Sequence, residues 1–464
     1  SEGLDASFGG TSGVGASLIQ NNAGSISNLV AGGNDGSSMV VSVDTSAAGS
    51  VNGAQTINFA SNGDGTSGLG LTALPSQDLA VTASITAGIY RLANPVVNNG
   101  QPIAFGNFRE GDSVTAQALS ITNDVEDDGF SEALNASVAG TSGGVTSNSG
   151  SFNLLGPQAT DSDSITVAID TSTAGSKDGN ATLNFVSDGT GSSGLGQTDL
   201  GNTDVAVTGA VYRLAEMDVA PTTVDLGNVR VGDSASQGIG ISNIAANDGY
   251  SEHLEVIGVV ASGTATSSGA VSGLIAAGAT DNGVSVGIDT ATAGAKSGTV
   301  TVSGESNGTL TSGFASNVAL ADQQVSVSGN VYRLAEGSVA PTSIDFGNVH
   351  LNSSQSQALA ISNVAANDTF SESLGVSAGT TGDAGTSGAV GGLIAAGSSD
   401  NGLSATLDTS VAGARSGTVD LSYTSDGAGT SGLAAIGAGG ESVAVSGTVY
   451  RLAEATIDNP LAFA

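Results

Sequence analysis

The stretch Ser164-Ile165-Thr166-Val167-Ala168-Ile169-Asp170 decides the fold of this chain. Its residues alternate in character, so that Ile165, Val167 and Ile169 share one face of an extended segment. A period of two with one apolar face is typical of a strand that buries one side of a sheet. The Asp-Thr pair that ends the stretch recurs at Asp44, Asp289 and Asp408, which indicates that the strand belongs to a repeat.

Further β-prone runs surround this strand between residues 94 and 215. They lie at 103–105, 114–122, 133–138, 145–155, 181–186 and 204–214. Turn-forming sequences such as Asp127-Asp128-Gly129 and Ser187-Asp188-Gly189 separate them. About seven strands in about 120 residues are typical of an immunoglobulin-like sandwich. The predicted fold class is all-β, with tandem immunoglobulin-like antiparallel β-sandwich domains arranged as a rod.

The tetrapeptide Tyr-Arg-Leu-Ala sets the period of the repeat. It begins at Tyr90, Tyr212, Tyr332 and Tyr450, at spacings of 122, 120 and 118 residues. A unit of this length can bury its own core, which favours independent domains over a solenoid. We predict an immunoglobulin-like domain lacking its opening strands at 1–93 (repeat 1) and complete domains at 94–215 (repeat 2), 216–335 (repeat 3) and 336–454 (repeat 4). Residues 455–464 are the C-terminal strand of an incomplete unit.

The two ends of the sequence are out of phase with the repeat. Ser1-Glu2 aligns with Ser131-Glu132, well inside a unit, so repeat 1 is expected to lack about two strands. Pro460–Phe463 matches Pro102–Phe105, an opening strand. A sandwich without its opening strands exposes unpaired backbone groups and an apolar groove that can capture a strand. The residues expected to take part in this strand exchange are Ile457, Pro460, Leu461 and Phe463 of one copy and Ser1, Glu2 and Leu4 of the next.

Exchange of this kind between copies would be β-strand addition, and a head-to-tail contact that does not close gives an open filament. The predicted partner is therefore the chain itself, as a head-to-tail homopolymer. The alternative is that the sequence is one window of a longer repeat protein, whose fibre is continuous through covalent bonds.

The few cations fall at only three positions of the repeat, although the net charge is −34 and the chain has nine lysine and arginine residues. Arg91, Arg213, Arg333 and Arg451 follow the tyrosine of the tetrapeptide; Lys177, Lys296 and Arg415 share a loop position; Arg109 and Arg230 share a third, where repeat 4 has His350. We predict an inter-domain junction at Tyr90, Arg91, Tyr212, Arg213, Tyr332, Arg333, Tyr450 and Arg451. Each arginine either clamps a carboxylate of the same or next unit or is an exposed strand-end residue worth under about 1 kcal/mol.

Several function classes do not fit this composition. A strongly acidic chain repels nucleic acid, and no apolar run approaches the length of a membrane helix. The chain has no cysteine, and its two histidines, His253 and His350, are not at equivalent repeat positions, so no repeated catalytic triad is expected. Glycine runs such as Gly189–Gly196 lack the lysine of a phosphate loop and are interpreted as flexible hairpin loops. We predict a non-enzyme.

The strand-ending aspartates are the only weak candidates for a metal site. Asp170, Asp289 and Asp408 most simply cap turns with their side chains. Calcium ligation is the alternative, and no other cofactor is expected.

The segment Asp345-Phe346-Gly347-Asn348-Val349, followed by 356–363, resembles the opening of the choice-of-anchor D type bacterial surface repeat, a Hydin-type immunoglobulin-like module. The resemblance implies an immunoglobulin-like fold on a secreted or cell-surface protein. A chain that begins at Ser1 without methionine is expected to be exported with a cleaved signal peptide. The expected function is an extracellular structural protein, the subunit of a surface filament or matrix fibre. The alternative is a cell-surface adhesin or stalk whose loops bind calcium or an unknown surface or matrix partner.

Overall fold

The structure is a computed structural model that describes residues 1–45, 50–81 and 89–456. It contains two compact units, Ser1–Tyr212 and Arg213–Ala464, which are described separately. Strands dominate both, and the one helical turn in the described ranges is the 3-10 turn Ala16–Leu18. The predicted all-β fold is confirmed.

Repeat 3, in the second compact unit, shows the sandwich most plainly. Its strands are Met217–Ala220, Thr223–Arg230, Ser236–Asn243, His253–Gly263, Ala265–Gly269, Thr280–Ile288, Gly294–Asn307, Val318–Ala319 and Gln323–Tyr332. One sheet has the order 217–220, 236–243, 280–288, 265–269, and the other has the order 223–230, 323–332, 294–307, 253–263. The opening segment thus contributes one strand to each sheet, because the chain changes sheets at Pro221, which has no N–H to donate to a ladder.

One strand pair in each complete repeat is parallel. Thr223–Arg230 runs parallel to the last strand, Gln323–Tyr332, with Val224 opposite Val327. Ser343–His350 pairs in the same way with Ile436–Tyr450, and Ile103–Arg109 with Gln197–Tyr212. The other strand pairs of the complete repeats are antiparallel, as the sequence predicted, and isolated parallel bridges such as Arg213 with Ser251 lie outside the strands. The opening strand therefore closes the edge of the sheet that the last strand would leave unpaired.

Repeats 2 and 4 repeat this plan with more interruptions. Repeat 2 has strands Pro95–Val97, Ile103–Arg109, Gln117–Ala118, Ile121–Asn123, Ala133–Thr141, Val145–Ser147, Ser151–Leu155, Thr160–Asp161, Thr166–Ile169, Gly175–Ser176, Gly179–Asp188 and Gln197–Tyr212. Repeat 4 has strands Gly337–Ala340, Ser343–His350, Ser356–Ala358, Ala360–Asn363, Ser373–Gly382, Ala384–Gly388, Ser399–Asp400, Leu403–Leu407, Gly413–Asp426 and Ile436–Tyr450. The run predicted at 145–155 divides because the Asn148 side chain accepts the N–H of Gly150, with Ser149 at φ 52° in a left-handed turn.

Each complete repeat has its own apolar core. In repeat 2 the core includes Ile165, Val167 and Ile169, which are all buried, together with Leu119 and Ile121 from the neighbouring chain segment of the same layer, where the Leu119 N–H donates to the Ile165 carbonyl at 2.9 Å. The alternation read in the sequence is therefore the alternation between core and surface. The alanine that ends the tetrapeptide lies in the core that follows it: Ala93, Ala215 and Ala335 belong to the cores of repeats 2, 3 and 4.

Repeat 1 contains one well-formed sheet and little that faces it. Its strands are Gly3–Val14, Ile19–Asn21, Ser25–Leu29, Val41–Val43, Asn52–Asn62 and Leu71–Val81. The order in the main sheet is 25–29, 3–14, 52–62, 71–81, and 19–21 pairs with 41–43. Complete repeats precede this part with three strands, represented in repeat 3 by 217–220, 223–230 and 236–243. In repeat 2 the structure adds the strand Pro95–Val97 ahead of the run predicted at 103–105.

Candidate assembly sites

A buried carboxylate recurs in the complete repeats, held by two serine hydroxyls. Glu372 has no exposed side-chain surface and accepts hydrogen bonds from Ser425 at 2.6 Å and Ser431 at 2.5 Å. Glu132 in repeat 2 accepts from Ser187 at 2.6 Å and Ser193 at 2.5 Å. Glu252 has the equivalent partners Ser306 and Ser312 in repeat 3. In repeat 1, Glu2 accepts from Ser61 at 2.5 Å and from Ser67.

The fold holds this carboxylate from three sides. In repeat 4, the Glu372 N–H donates to the carbonyl of Arg333 at 3.0 Å, which fixes the backbone before the strand Ser373–Gly382. Ser425 lies near the end of Gly413–Asp426, and Ser431 lies in the following glycine-rich turn. That turn is closed by the Gly432 N–H donating to the Gly427 carbonyl at 2.7 Å. The glycine runs interpreted as flexible loops are thus defined turns that position a hydroxyl donor.

In the second compact unit, a cation from repeat 3 reaches the carboxylate of repeat 4. Arg230 Nε donates to both oxygens of Glu372, at 3.1 and 3.0 Å, and its side chain is only 12% exposed. Arg230 Nη2 also donates to the Ala434 carbonyl at 2.6 Å. Two residues earlier, Asn228 Nδ2 donates to the Ser431 carbonyl at 2.7 Å. We call this set of contacts the Arg230–Glu372 joint.

Both halves of this joint are visible in the sequence, but the sequence does not show that they pair. The dipeptide Ser1-Glu2 aligns with Ser131-Glu132 and recurs at Ser251-Glu252 and Ser371-Glu372, and Arg230 occupies one of the three cation positions of the repeat. The signal that could have paired them is a chain with few cations in which the cation position of Arg230 and the acid position of Glu372 both recur in the repeat. A buried, charge-assisted contact of this kind is stronger than a neutral hydrogen bond.

The tetrapeptide arginines make ion pairs with the repeat that follows. Arg213 lies 2.8 Å from Asp248, Arg333 lies 2.5 Å from Asp368, and Arg91 pairs with Asp128. These pairs lower the pKa of Asp128 and Asp368, for which the arginine hydrogen bond is the largest cause. In each pair at least one of the two side chains is more than a third exposed. A role in fixing the joint angle stays a prediction.

The tyrosines of the tetrapeptide differ in their surroundings. Tyr90 contacts Phe130 and Tyr332 contacts Phe370, with ring centroids 5.7 and 5.6 Å apart. Tyr332 is buried, whereas Tyr450 is 52% exposed. Tyr212 pairs with Arg109 in the parallel ladder of repeat 2. Arg451 lies beside Glu454 on the wall of an open cavity of about 610 Å³.

Repeat 1 exposes the inner face of its sheet. Leu79 is 47% exposed, whereas its equivalent in repeat 2, Val205, is fully buried. Leu4, Phe59 and Leu74 line a groove of about 370 Å³ on this face. The equivalents of the missing facing strand, Leu119 and Ile121 in repeat 2, are fully buried core residues. The exposed leucines therefore lie on the part of the core face that the short strand pair 19–21 and 41–43 does not cover.

Of the residues predicted for strand exchange, those at the start of the chain are described and those near its end are not. Glu2 and Leu4 are half-buried and Ser1 is exposed, at the start of the main sheet of repeat 1. Leu4 pairs with Leu29 and Ser61 on the neighbouring strands. Ile457, Pro460, Leu461 and Phe463 lie outside the described residues.

The strand-ending aspartates each bind their own turn. Asp170 accepts the N–H of Ser172, Asp289 that of Ala291 and Asp408 that of Ser410, all at 2.9 Å. These backbone hydrogen bonds are the first cause of the lowered pKa of Asp170 and Asp408. Within residues 1–45, 50–81 and 89–456, no three metal-ligand side chains cluster. The same residues include no helix long and apolar enough to cross a membrane.

Comparisons with known proteins give a distant likeness of fold. No protein-family model matches the chain, and no curated protein matches it. Among solved structures, a protocadherin gammaB7 EC3-6 cis-dimer is 11% identical with a TM-score of 0.39, covering 97% of this chain and 94% of that one. The titin I-band fragment I67-I69 is 8% identical with a TM-score of 0.23, covering 78% and 100%. A protein of unknown function from Porphyromonas gingivalis W83 is 15% identical with a TM-score of 0.22, covering 51% and 99%. At such values the function has to be argued from the chain itself.

Proposed function

We propose that this protein is an extracellular structural protein, the subunit of a surface filament or matrix fibre that assembles head to tail. In this proposal, residues 455–464 of one copy add strands to repeat 1 of the next copy. The all-β tandem architecture suits a passive structural element, and the described residues contain no constellation that supports catalysis. The resemblance to the choice-of-anchor D type surface repeat supports an exported location.

The observation that carries the proposal is the exposed inner face of repeat 1. Leu74 and Leu79 are 41% and 47% exposed beside the groove formed with Leu4 and Phe59. Contiguous apolar surface of this kind on a sheet favours capture of another chain. Burying one large apolar side chain contributes about 1.5–3 kcal/mol.

The tail carries the sequence of two of the three missing strands. Residues 454–458 align with 336–340, so that 455–458 match the strand Gly337–Ala340, and the connection to the next strand is one residue shorter than in repeat 4. Leu461-Ala462-Phe463 matches Ile344-Asp345-Phe346, where Ile344 is buried in the core of repeat 4. The third missing strand, represented by Ser236–Asn243 in repeat 3, has no counterpart in this segment. A domain completed by exchange should therefore be less stable than repeats 2 to 4.

Deletion of residues 455–464 tests the proposal. Electron microscopy and sedimentation of the purified chain should show filaments whose number falls sharply on deletion. The matched control replaces Leu461 and Phe463 by serine, which keeps the length and removes the apolar contacts. Filaments that persist in both variants contradict strand addition, and a chain that stays monomeric at high concentration contradicts filament formation.

A further inference from the structure

We infer that the seam between two copies is a second version of the Arg230–Glu372 joint, formed by Asn348 and His350 of one copy and Glu2, Ser61 and Ser67 of the next. This inference rests on the proposed head-to-tail assembly. It names the polar contact surface of the partner, which is a second copy of this chain. It concerns side chains that strand addition does not use.

The acceptor half of the seam is already built in repeat 1. Glu2 accepts hydrogen bonds from Ser61 and Ser67, which are the repeat equivalents of Ser425 and Ser431 around Glu372. The hydrogen bonds from Ser61 and then Ser67 lower the pKa of Glu2, so the carboxylate is ionised at neutral pH. The arrangement matches the one that receives Arg230 inside the second compact unit, but the described residues bring no side-chain cation to it.

The donor half is present and uncovered in repeat 4. His350 stands opposite Tyr450 in the parallel ladder, as Arg230 stands opposite Tyr332 in repeat 3. Asn348 precedes it by two residues, as Asn228 precedes Arg230. Arg230 and Asn228 are half-buried under repeat 4, whereas His350 and Asn348 are exposed.

Charge and shape therefore favour a second copy as the occupant. The acceptor offers the ionised Glu2 carboxylate and the donor strand offers the side-chain N–H groups of Asn348 and His350, so the two halves are complementary. The strand that carries His350 has the same ladder register as the strand that carries Arg230, which already fits the Ser-Ser-Glu acceptor of repeat 4. Imidazole supplies at most two donors, whereas guanidinium is always charged and supplies five. The seam is consequently a weaker form of the internal joint.

A double-mutant cycle on the full chain tests the inference. His350→Arg installs the cation found in repeat 3 and should lower the concentration at half assembly about tenfold at neutral pH, the effect of one added charge-assisted hydrogen bond. Glu2→Gln keeps the shape, removes the charge and should raise that concentration. In the Glu2→Gln background, the gain from His350→Arg should disappear, because the arginine has lost its acceptor.

The outcomes separate the seam from the proposed strand addition. If His350→Arg acts equally with Glu2 and with Gln at position 2, the seam is wrong while filament assembly stands. If filaments survive deletion of 455–464 and the coupling between positions 2 and 350 persists, strand addition is wrong and the seam stands. If neither the wild type nor His350→Arg assembles at any concentration, both are wrong. Circular dichroism of each variant verifies that the sandwiches remain folded.

Discussion

Replacing Arg230 by alanine should loosen the joint between repeats 3 and 4 without unfolding either. The substitution removes the Nε contacts to Glu372 at 3.1 and 3.0 Å and the Nη2 contact to the Ala434 carbonyl at 2.6 Å. Hydrogen bonds to charged groups contribute about 1.5–3 kcal/mol each. Removing one partner of a buried ion pair costs about 3–5 kcal/mol when the remaining charge is left without partners.

Repeat 2 shows that the remaining carboxylate would keep partners. Glu132 is 2% exposed and accepts from Ser187 and Ser193, and the described residues place no cation on it. Two hydroxyls are therefore enough to hold this carboxylate inside a repeat. Glu372 would keep the same two bonds after loss of Arg230, so the cost falls on the joint rather than on repeat 4. We expect about 2 kcal/mol, which is roughly a 30-fold shift in the equilibrium between joined and separated repeats.

Distance measurement by electron paramagnetic resonance can follow this equilibrium. The chain has no cysteine, so labels at Ser267→Cys and Thr386→Cys, both exposed, report only the separation of repeats 3 and 4. Arg230→Ala should broaden the distance distribution, and calorimetry should show little change in the melting of repeat 4. The matched control is Arg333→Ala, which removes an ion pair to Asp368 with side chains 38% and 42% exposed. Such a pair is worth under about 1 kcal/mol.

Either of two results would contradict a joint held by the buried Arg230. An unchanged distribution in Arg230→Ala would mean that the buried contact does not hold the repeats together. Equal broadening in Arg230→Ala and Arg333→Ala would mean that burial does not distinguish the two arginines. The second result would also support the prediction that the tetrapeptide arginines fix the joint angle.

Three further expectations concern single repeats. Phe185→Ala should destabilise repeat 2 by about 3–5 kcal/mol, because Phe185 is fully packed. Phe59→Ala, beside the groove of repeat 1, should cost less stability. Calorimetry compares the two variants, and equal losses of stability would contradict an open inner face. Hydrogen bonds from the Ser38 side chain and the backbone of Ser38 and Ser37 lower the pKa of Asp35 to about 2. The contribution of Asp35 to the stability of repeat 1 is therefore present above the ordinary pKa of 3.8 and is lost as the pH falls towards 2. Asp35→Asn should remove that acid dependence in an NMR-monitored titration, and a midpoint near 3.8 in the wild type would contradict the assignment. Burial, and then Glu441, raises the pKa of Tyr423 above its ordinary value of 10.0. The wild type should therefore lose stability above pH 10 in denaturant unfolding, and Tyr423→Phe should lose less stability over the same range. Identical alkaline profiles of the two proteins would contradict the assignment.

The sequence predicted the sandwich because its main signal is local. Alternation places Ile165, Val167 and Ile169 on one face, and all three are core residues. Strand ends were less accurate where a side chain interrupts the ladder, as Asn148 does in the run 145–155. The parallel pairing of the opening strand with the last strand could not be read from periodicity, because Val224 and Val327 are 103 positions apart. A period of two fixes which face is apolar and leaves open which neighbour pairs.

The candidate site was harder to predict for a related reason. Arg230 and Glu372 are 142 positions apart, and a repeated sequence does not show whether a partner lies in the same repeat or the next one. The glycine run Gly427–Gly432 gives only a turn signal, so the hydroxyl of Ser431 inside it had no assigned role. Packing supplied the missing information: the serine faces a buried carboxylate that also receives a cation from outside the repeat.

The distribution of positive charge supports the view that the joint serves assembly. Lys177 and Lys296 are buried and donate to Thr173 and Thr292 within their own repeats. The Ser-Ser-Glu arrangement is complete without a cation in repeat 2, so Arg230 is not needed to fold repeat 4. A chain with a net charge of −34 repels its own neighbouring segments, and a cation that crosses from one repeat to the next offsets that repulsion where the repeats meet. Position 230 therefore carries a contact between repeats, and position 350 is where the same contact would continue to another copy.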